Sequence, residues 1–579
     1  MAVRIARPVM NPTETLRQAF QLFEQEHYAA AEQILFDLLE SEPANVQALH
    51  LLGSVAMAQA HFEEATIVLQ RALRLLPESA QEALPIRYKL GRAFYELGRV
   101  EDAFLLYRAL IEAGHRIPEL FVAASAALQA MSPSGKNDTQ AIALLDDALQ
   151  LQADVPDTWH RKAMLHERVK DWEAARASLQ QALRLNDQRA VYWHDAGAAE
   201  HALGDFETAL KFYDQALILD PDYVDAHVSR GTSLARLRQY DDAIDSYQRA
   251  LKLKQDDPEA KLNLALSLLV LGRFQEALPL YEWRWEGRSA DPYRHEAIPA
   301  WNGATPLRGK RILLWAEQGY GDIIQFIRYA QLIADAGAQV VLEVPANQLP
   351  LLASLPSSSP LEMIAIGEPV PAVDCQLPMM SLPLVCNTQY REIPAAIPYL
   401  YADDARKQAW MARIDTLAPR TPGRVRIGIV CSGNPGNTND YRRSIPLQQF
   451  APLAQARADI DFFAVQPDLR EADAAWLHTQ AGWHWLGQGI GNFNETAAVL
   501  SCMDLLITVD TAAAHLAGAL GLPVWIALPF APDWRWFLNR HDSPWYPSAK
   551  LFRQQQAGQW RDVMLAIKAA LAISDFSGR

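Results

Sequence analysis

Three short stretches of this chain set acids, hydroxyls and cations where an apolar run gives way to small residues. The first is Val509-Asp510-Thr511-Ala512-Ala513-Ala514-His515, directly after Leu505-Leu506-Ile507-Thr508. In an α/β sheet a strand end followed by a helix start leaves amide N–H groups unpaired, and the helix dipole favours an anion there. The stretch therefore reads as a nucleotide or phosphate site. The second is Gly319-Tyr320-Gly321-Asp322, a glycine turn between the apolar run 309–315 and an amphipathic stretch 323–336. Its carboxylate is free to do chemistry in a cleft or to hold the first amides of the helix it opens. The third is Ser432-Gly433-Asn434 with Arg442 and Arg443 downstream. Such a loop offers guanidinium, hydroxyl and amide donors to an anion, with Arg443 the preferred cation and Ser432 and Asn434 as hydrogen-bond donors; the bland reading is a pair of solvated arginines. Gln466 and the Glu495-Thr496 pair are weaker candidates for framing a nucleoside. The aromatic tract 532–547 is a lid or lobe interface ahead of a stacking platform.

The elements needed to position these residues follow from the apolar pattern. Runs at 309–315, 338–344, 362–366 and 373–377 read as strands, the first two joined through the glycine turn as a βαβ unit. A second start at 424–430 is followed by strands at 461–465, 484–486, 505–509 and 523–528. Two successive Rossmann-like lobes, 309–420 and 421–575, imply a cleft between them, while strand order is not legible.

The amino-terminal half has a different rhythm. Between residue 12 and about 290, small and proline positions recur every 34 residues, as in Trp193, Gly197, Ala209, Ala216 and Pro221, then Gly231, Ala243 and Ala250. That spacing resembles the tetratricopeptide repeat. About eight helical hairpins are expected over 12–290, one of them degenerate at 118–154, followed by a linker at 291–308. Their superhelix either presents a groove to a protein or peptide or merely scaffolds the rest. Trp159, Tyr192 and Trp193 are packing residues of the repeat.

With 579 residues, 21 % charged and a formal net charge of −15, the chain reads as an acidic, soluble, multidomain protein with no bias toward nucleic acid. Its cysteines, Cys375, Cys386, Cys431 and Cys502, have neither disulfide nor zinc spacing, and no apolar stretch predicts a signal peptide or a membrane span. A cytoplasmic location and no bound metal are expected.

The three chemical stretches together resemble the GT-B glycosyltransferases, and within them the heptosyltransferase-like family nine, over roughly 305–575. The fold class is then multidomain: an all-α tetratricopeptide superhelix followed by an α/β GT-B module of two Rossmann-like lobes. The resemblance implies a bacterial, metal-independent, inverting transferase that needs no cofactor beyond a nucleotide-diphosphate sugar as co-substrate. Asp322 becomes the general base on the acceptor side, and Ser432, Gly433, Asn434, Arg443, Gln466, Asp510, Thr511 and His515 become donor-binding residues. The acceptor hydroxyl is that of a protein or a glycan, and the repeats recruit it or a partner. One departure is Ala512, where the family usually has glycine; its methyl limits how closely a phosphate approaches the backbone. The alternative is a noncatalytic tetratricopeptide scaffold with a degenerate sugar-nucleotide module.

Overall fold

The computed structural model describes residues 11–576, apart from 78–79, 288–291, 318, 358–359 and 437–438. The amino-terminal ten residues, Gln318 of the glycine turn, Asn437 and Thr438 of the polar loop, and the start of the 291–308 linker thus lie outside the described residues. The chain divides into two compact units, 1–226 and 227–579.

Sixteen α-helices, from Pro12–Glu24 to Phe274–Tyr281, are described as consecutive helices of 8 to 14 residues. The repeat works by one recurring contact. A small residue on the first helix of a hairpin faces a large one sixteen positions later on the second: Gly53 faces Leu69, Gly91 faces Tyr107, Gly197 faces Tyr213 and Gly231 faces Tyr247. Added methyl groups would lie 2.5–2.6 Å from those side chains, so the helices touch only because no Cβ is there. At the corresponding place in the hairpin Pro118–Ala130 and Asp138–Leu151, Ser125 donates its hydroxyl to the Ala141 carbonyl at 2.9 Å. Several hairpin helices begin on acidic or amide caps, with Asp171, Asp205 and Asp257 accepting from the backbone N–H three residues on.

Gly197→Ala tests this contact. Alanine is the better helix former by about 1 kcal/mol, yet Tyr213 is buried and its ring cannot swing away. Overpacking should win, for a net loss of roughly 1–2 kcal/mol in urea denaturation; a gain in stability would show that the close approach is not needed.

In the second unit two fully parallel sheets follow the last hairpins. The first contains β1 (Arg311–Trp315), β2 (Gln339–Val344), β3 (Glu362–Ala365) and β4 (Cys375–Pro378), in the order β3-β2-β1-β4. The second contains β5 (Val425–Val430), β6 (Ile460–Ala464), β7 (Trp483–Trp485), β8 (Leu505–Val509), β9 (Val524–Leu528) and β10 (Ala549–Arg553), in the order β10-β9-β8-β5-β6-β7. Strands β5, β6, β8 and β9 are buried along their whole length, as strands covered on both faces must be. Both orders reverse direction beside their first strand, between β1 and β4 and between β5 and β8. Those reversals open crevices at the carboxyl ends of the strands, which is where doubly wound sheets take ligands. Strand β10 was not among the strands expected from the apolar runs. The described part of the stretch expected as a linker packs on the first sheet: Ala300 bridges to Gln376 of β4, and Tyr293 and Ile298 pack on Leu313 and Trp315.

Candidate functional site

The helices that leave β1 and β8 pack on each other, which brings the carboxyl ends of the two sheets together. After β1, Gly319 takes a φ of +92° and starts the helix Tyr320–Phe326. A side chain at Gly319 would be strained by that φ and would overlap the Asp322 carboxylate, which folds back over it. Gly321 has another task. A methyl there would lie 2.9 Å from His515 Cδ2 and 3.4 Å from Ala512 Cα, so this turn seats directly on the start of the helix Ala512–Ala519 after β8. The methyl-bearing Ala512 thus borders the first-lobe turn.

Asp322 lies in the first turn of its helix with a quarter of its side chain exposed (28 %). Arg535 binds it, Nη2 to Oδ1 at 2.7 Å, and also donates to Asp533 at 2.9 and 3.1 Å and to the Gln325 side-chain Oε1 at 2.8 Å. Burial nevertheless raises the Asp322 pKa to about 6, helped by Asp533 and Glu317 and opposed by Arg535 and Arg443. A carboxylate of that strength is still ionised at neutral pH and is a much better proton acceptor than a solvated aspartate.

Asp510, at the carboxyl end of β8, is buried, and its pKa is likewise pushed up to about 6 by burial and the charge of Asp533, against the Trp536 indole, Arg443 and Arg535. Asp322, Asp510, Asp533, Arg443 and Arg535 therefore form one electrostatic neighbourhood. Thr511 holds the cap position of the following helix without a side-chain capping bond, and its hydroxyl lies 3.4 Å from that of Thr508.

The loop after β5 is organised by the buried Asp440. Its carboxylate accepts from Gly433 N at 3.1 Å, Ser444 Oγ at 2.8 Å and Arg470 Nη2 at 2.6 Å. Arg443 touches the same carboxylate only at 3.4 Å and keeps a quarter of its side chain exposed (24 %), so among the described residues its guanidinium retains donors for an anion. Gly433 has no room for a side chain between Asp440 and Arg443. Ser432 accepts from Gln466 Nε2 at 3.0 Å.

Three sequence candidates have side chains engaged in local contacts. Gln466 is buried with its amide committed: Nε2 to Ser432 and to the Asp468 carbonyl, Oε1 accepting from Cys431 N at 2.9 Å. It supports the loop. Asn434 is exposed and closes a local turn by accepting from Gly436 N. His515 is buried, bonded through Nδ1 to the Tyr546 hydroxyl at 2.9 Å and stacked on Trp536 at 5.2 Å. Burial and the charges of Arg535, Arg328 and Arg443 hold its pKa far below the usual range, so it is a neutral spacer under the cleft. Arg535, Asp533 and Gln325 escaped sequence reasoning. The signal was the Asp533-Trp534-Arg535-Trp536 alternation inside the aromatic tract, where Trp534 and Trp536 are buried and the arginine between them reaches Asp322.

The raised pKa of Asp510 carries a stability prediction. A folded pKa above the unfolded one favours the native state below about pH 4, and that gain is lost as pH rises through 6. At pH 7.5 the ionised Asp510 should then cost stability, and Asp510→Asn should raise the unfolding free energy by about 1–3 kcal/mol. Below about pH 4 the two proteins should converge. Urea denaturation at both pH values decides it, and an Asn variant less stable at pH 7.5 would show that the charge is fully compensated.

Comparison with known proteins matches this architecture in both halves. Models of the tetratricopeptide repeat match residues 87–113, 156–189, 197–237 and 228–290. The model described as glycosyltransferase family 9 (heptosyltransferase) matches residues 474–557, which include Asp510, Thr511, His515, Asp533 and Arg535. Protein FlbA of Caulobacter vibrioides is 26 % identical over 300 residues, covering 48 % of this chain and 48 % of that protein, so the chain spans about half the length of this relative. Among solved structures, the carboxy-terminal part of a tetratricopeptide protein from Cytophaga hutchinsonii covers 43 % of this chain and 99 % of its own, with 15 % identity and a TM-score of 0.37. A tetratricopeptide protein from Parabacteroides merdae covers 44 % of this chain and 98 % of its own, with 16 % identity and a TM-score of 0.34. Among the described residues no helix is long and apolar enough to cross a membrane. Repeat period, paired parallel sheets and family matches agree on tetratricopeptide repeats in the amino-terminal half, followed by an α/β module of two parallel sheets that is similar, over residues 474–557, to the glycosyltransferases of family 9.

Proposed function

We propose that the chain is a metal-independent, inverting glycosyltransferase acting in the cytoplasm, with a nucleotide-diphosphate sugar as donor. The observation that supports it best is the placement of Asp322, with its pKa of about 6, at the β1 crevice opposite Asp510 and Arg443 at the β8 and β5 strand ends. The donor lies on the second lobe. Asp510 takes sugar hydroxyls, Ser432 donates to the diphosphate, Arg443 balances its charge, and the uncapped amides after Thr511 add to that. Gly433 lets the loop approach closely, and His515, Gln466 and Asn434 keep the site in shape.

In the reaction Asp322 accepts the proton of the acceptor hydroxyl as that oxygen bonds to the anomeric carbon. The bond from that carbon to the diphosphate breaks, and the nucleoside diphosphate leaves with the electron pair. A single displacement of this kind inverts the anomeric centre; inversion itself rests on the family resemblance. The acceptor is a protein or glycan hydroxyl, and the repeats bring in the acceptor or a partner.

A thermal-shift screen against uridine, guanosine, adenosine and thymidine diphosphates and their hexoses tests the donor site, because a ligand that binds only the native state raises its apparent stability. One nucleotide should give a reproducible shift that Asp510→Ala abolishes. Arg443→Ala should weaken that nucleotide about 10- to 100-fold, the worth of a charge-assisted hydrogen bond. No shift at millimolar ligand would transfer the weight to the scaffold reading.

A further inference from the structure

The last repeat hairpin reaches into the candidate site. Its second helix, Phe274–Tyr281, runs directly into the short 3-10 turn Glu282–Trp285, which carries Arg284. Arg284 and Glu317 form a buried, two-pronged ion pair, Nε to Oε2 at 2.7 Å and Nη2 to Oε1 at 3.0 Å, with 10 % and 8 % of their side chains exposed. Glu317 stands just before the Gly319 turn that sets Asp322. It also accepts from Met380 N at 2.9 Å, so it ties the end of β1 to the segment after β4 across the first-lobe crevice. Arg284 further donates to Ser381 Oγ at 2.8 Å, and Ser381 in turn donates to Glu282. On the other side of the site, the buried Tyr281 ring packs on Trp534 at 6.4 Å, and Trp534 immediately precedes Arg535. The Arg284 guanidinium lies 4.9 Å above that same tyrosine ring.

We propose that Arg284, supplied by the repeat array, is a positioning residue for the transfer reaction: through Glu317 and Tyr281 it fixes the two segments between which Asp322 is held. This rests on the reading of Asp322 as the base. A bidentate arginine clamp is suited to the task because its planar fork fixes the carboxylate in orientation as well as distance. Misplacement of a reacting group by about 1 Å can cost on the order of a hundredfold in rate. The charged groups facing Asp322 are Arg535, Asp533, Glu317 and Arg443, so removing the cation that neutralises Glu317 lets its negative charge act on Asp322.

The test uses the full chain and, as probe, the hexose donor that gives the largest thermal shift, with release of its nucleoside diphosphate as readout and water standing in for the acceptor. Arg284→Met should lower kcat about tenfold or more while the donor KM stays within about threefold, and should move the acid limb of the kcat profile to higher pH. Adding Glu317→Gln should bring the limb back toward its wild-type position, and Arg284→Lys, which keeps the charge and loses the fork, should fall between. If Arg284→Met does not fold, the lysine and double variants read the same limb. A kcat and acid limb unchanged in the folded variants, or a change in KM alone, would overturn the proposal. Asp322→Asn separates the two readings: an inactive Asn variant beside a normal Arg284→Met sinks only the positioning role, whereas an active Asn variant sinks the base and with it the positioning of Asp322, whatever Arg284→Met does.

Discussion

Asp322→Asn is expected to leave a folded protein that binds its donor normally and transfers sugar about 10²–10⁴ times more slowly, the usual contribution of a general base. The amide is nearly the same size as the acid, so the turn over Gly319 can persist, and Arg535 keeps Asp533 and Gln325 as partners. What disappears is the only proton acceptor in the helix Tyr320–Phe326. The pH profile supplies a second check. With its folded pKa near 6, Asp322 must lose its proton to act, so the wild-type kcat should rise with pH through about 6 and level off above about 7. Donor titration by calorimetry alongside single-turnover rates separates the effects. An Asn variant with wild-type turnover and weakened binding would make Asp322 a ligand rather than a base.

Arg535→Met should be the most destabilising single change near the site, by about 3–5 kcal/mol at pH 7.5, because it strips the cation from a buried cluster and leaves carboxylates behind. Arg535 is all but fully buried, pairs with Asp322 and Asp533, and lies 4.5 Å from the centre of the Trp534 ring. Methionine replaces its stem and none of its donors. The loss should shrink at pH 5, where Asp322 and Asp510, both with folded pKa values near 6, become largely protonated and less charge needs compensation. It should also shrink in the Arg535→Met/Asp322→Asn double variant, since the two residues share one interaction. Denaturation of the four proteins at two pH values measures this, and a loss below about 1 kcal/mol at pH 7.5 would mean that solvent already screens the cluster.

The legible part of this molecule was whatever the chain writes locally. The repeat showed through because each hairpin needs a small residue facing a large one at a fixed interval, and a period survives even where Ser125 replaces the glycine. The apolar runs of β1, β5, β6, β8 and β9 were legible because strands covered on both faces tolerate little polarity. Asp322 and Asp510 stood out as acids at the seam between an apolar run and small residues. What the chain does not write locally stayed hidden. Strand order depends on how crossovers pack. The cation for Asp322 lies more than two hundred residues downstream among tryptophans that read as packing. His515 had the residue type of a ligand and the surroundings of a core residue, and only the neighbours brought in by Tyr546 and Trp536 decide between them. Gln466 likewise sits at a strand end, where its committed amide is invisible in the sequence.

The attachment of the final hairpins to the two-sheet module has a consequence for building chimeras. Phe274 packs on Trp534, Phe537, Trp545 and Tyr390, and the compact units part after Ala226, well inside the helical array. Swapping the array at its last helix would bare that aromatic cluster and strip Glu317 of its arginine, whereas a junction near residue 226 hands the recipient an α/β module that already carries its own helical collar. The interchangeable part of this protein is therefore shorter than its repeat count suggests, and foreign repeats should be spliced on ahead of the helix Val224–Arg236.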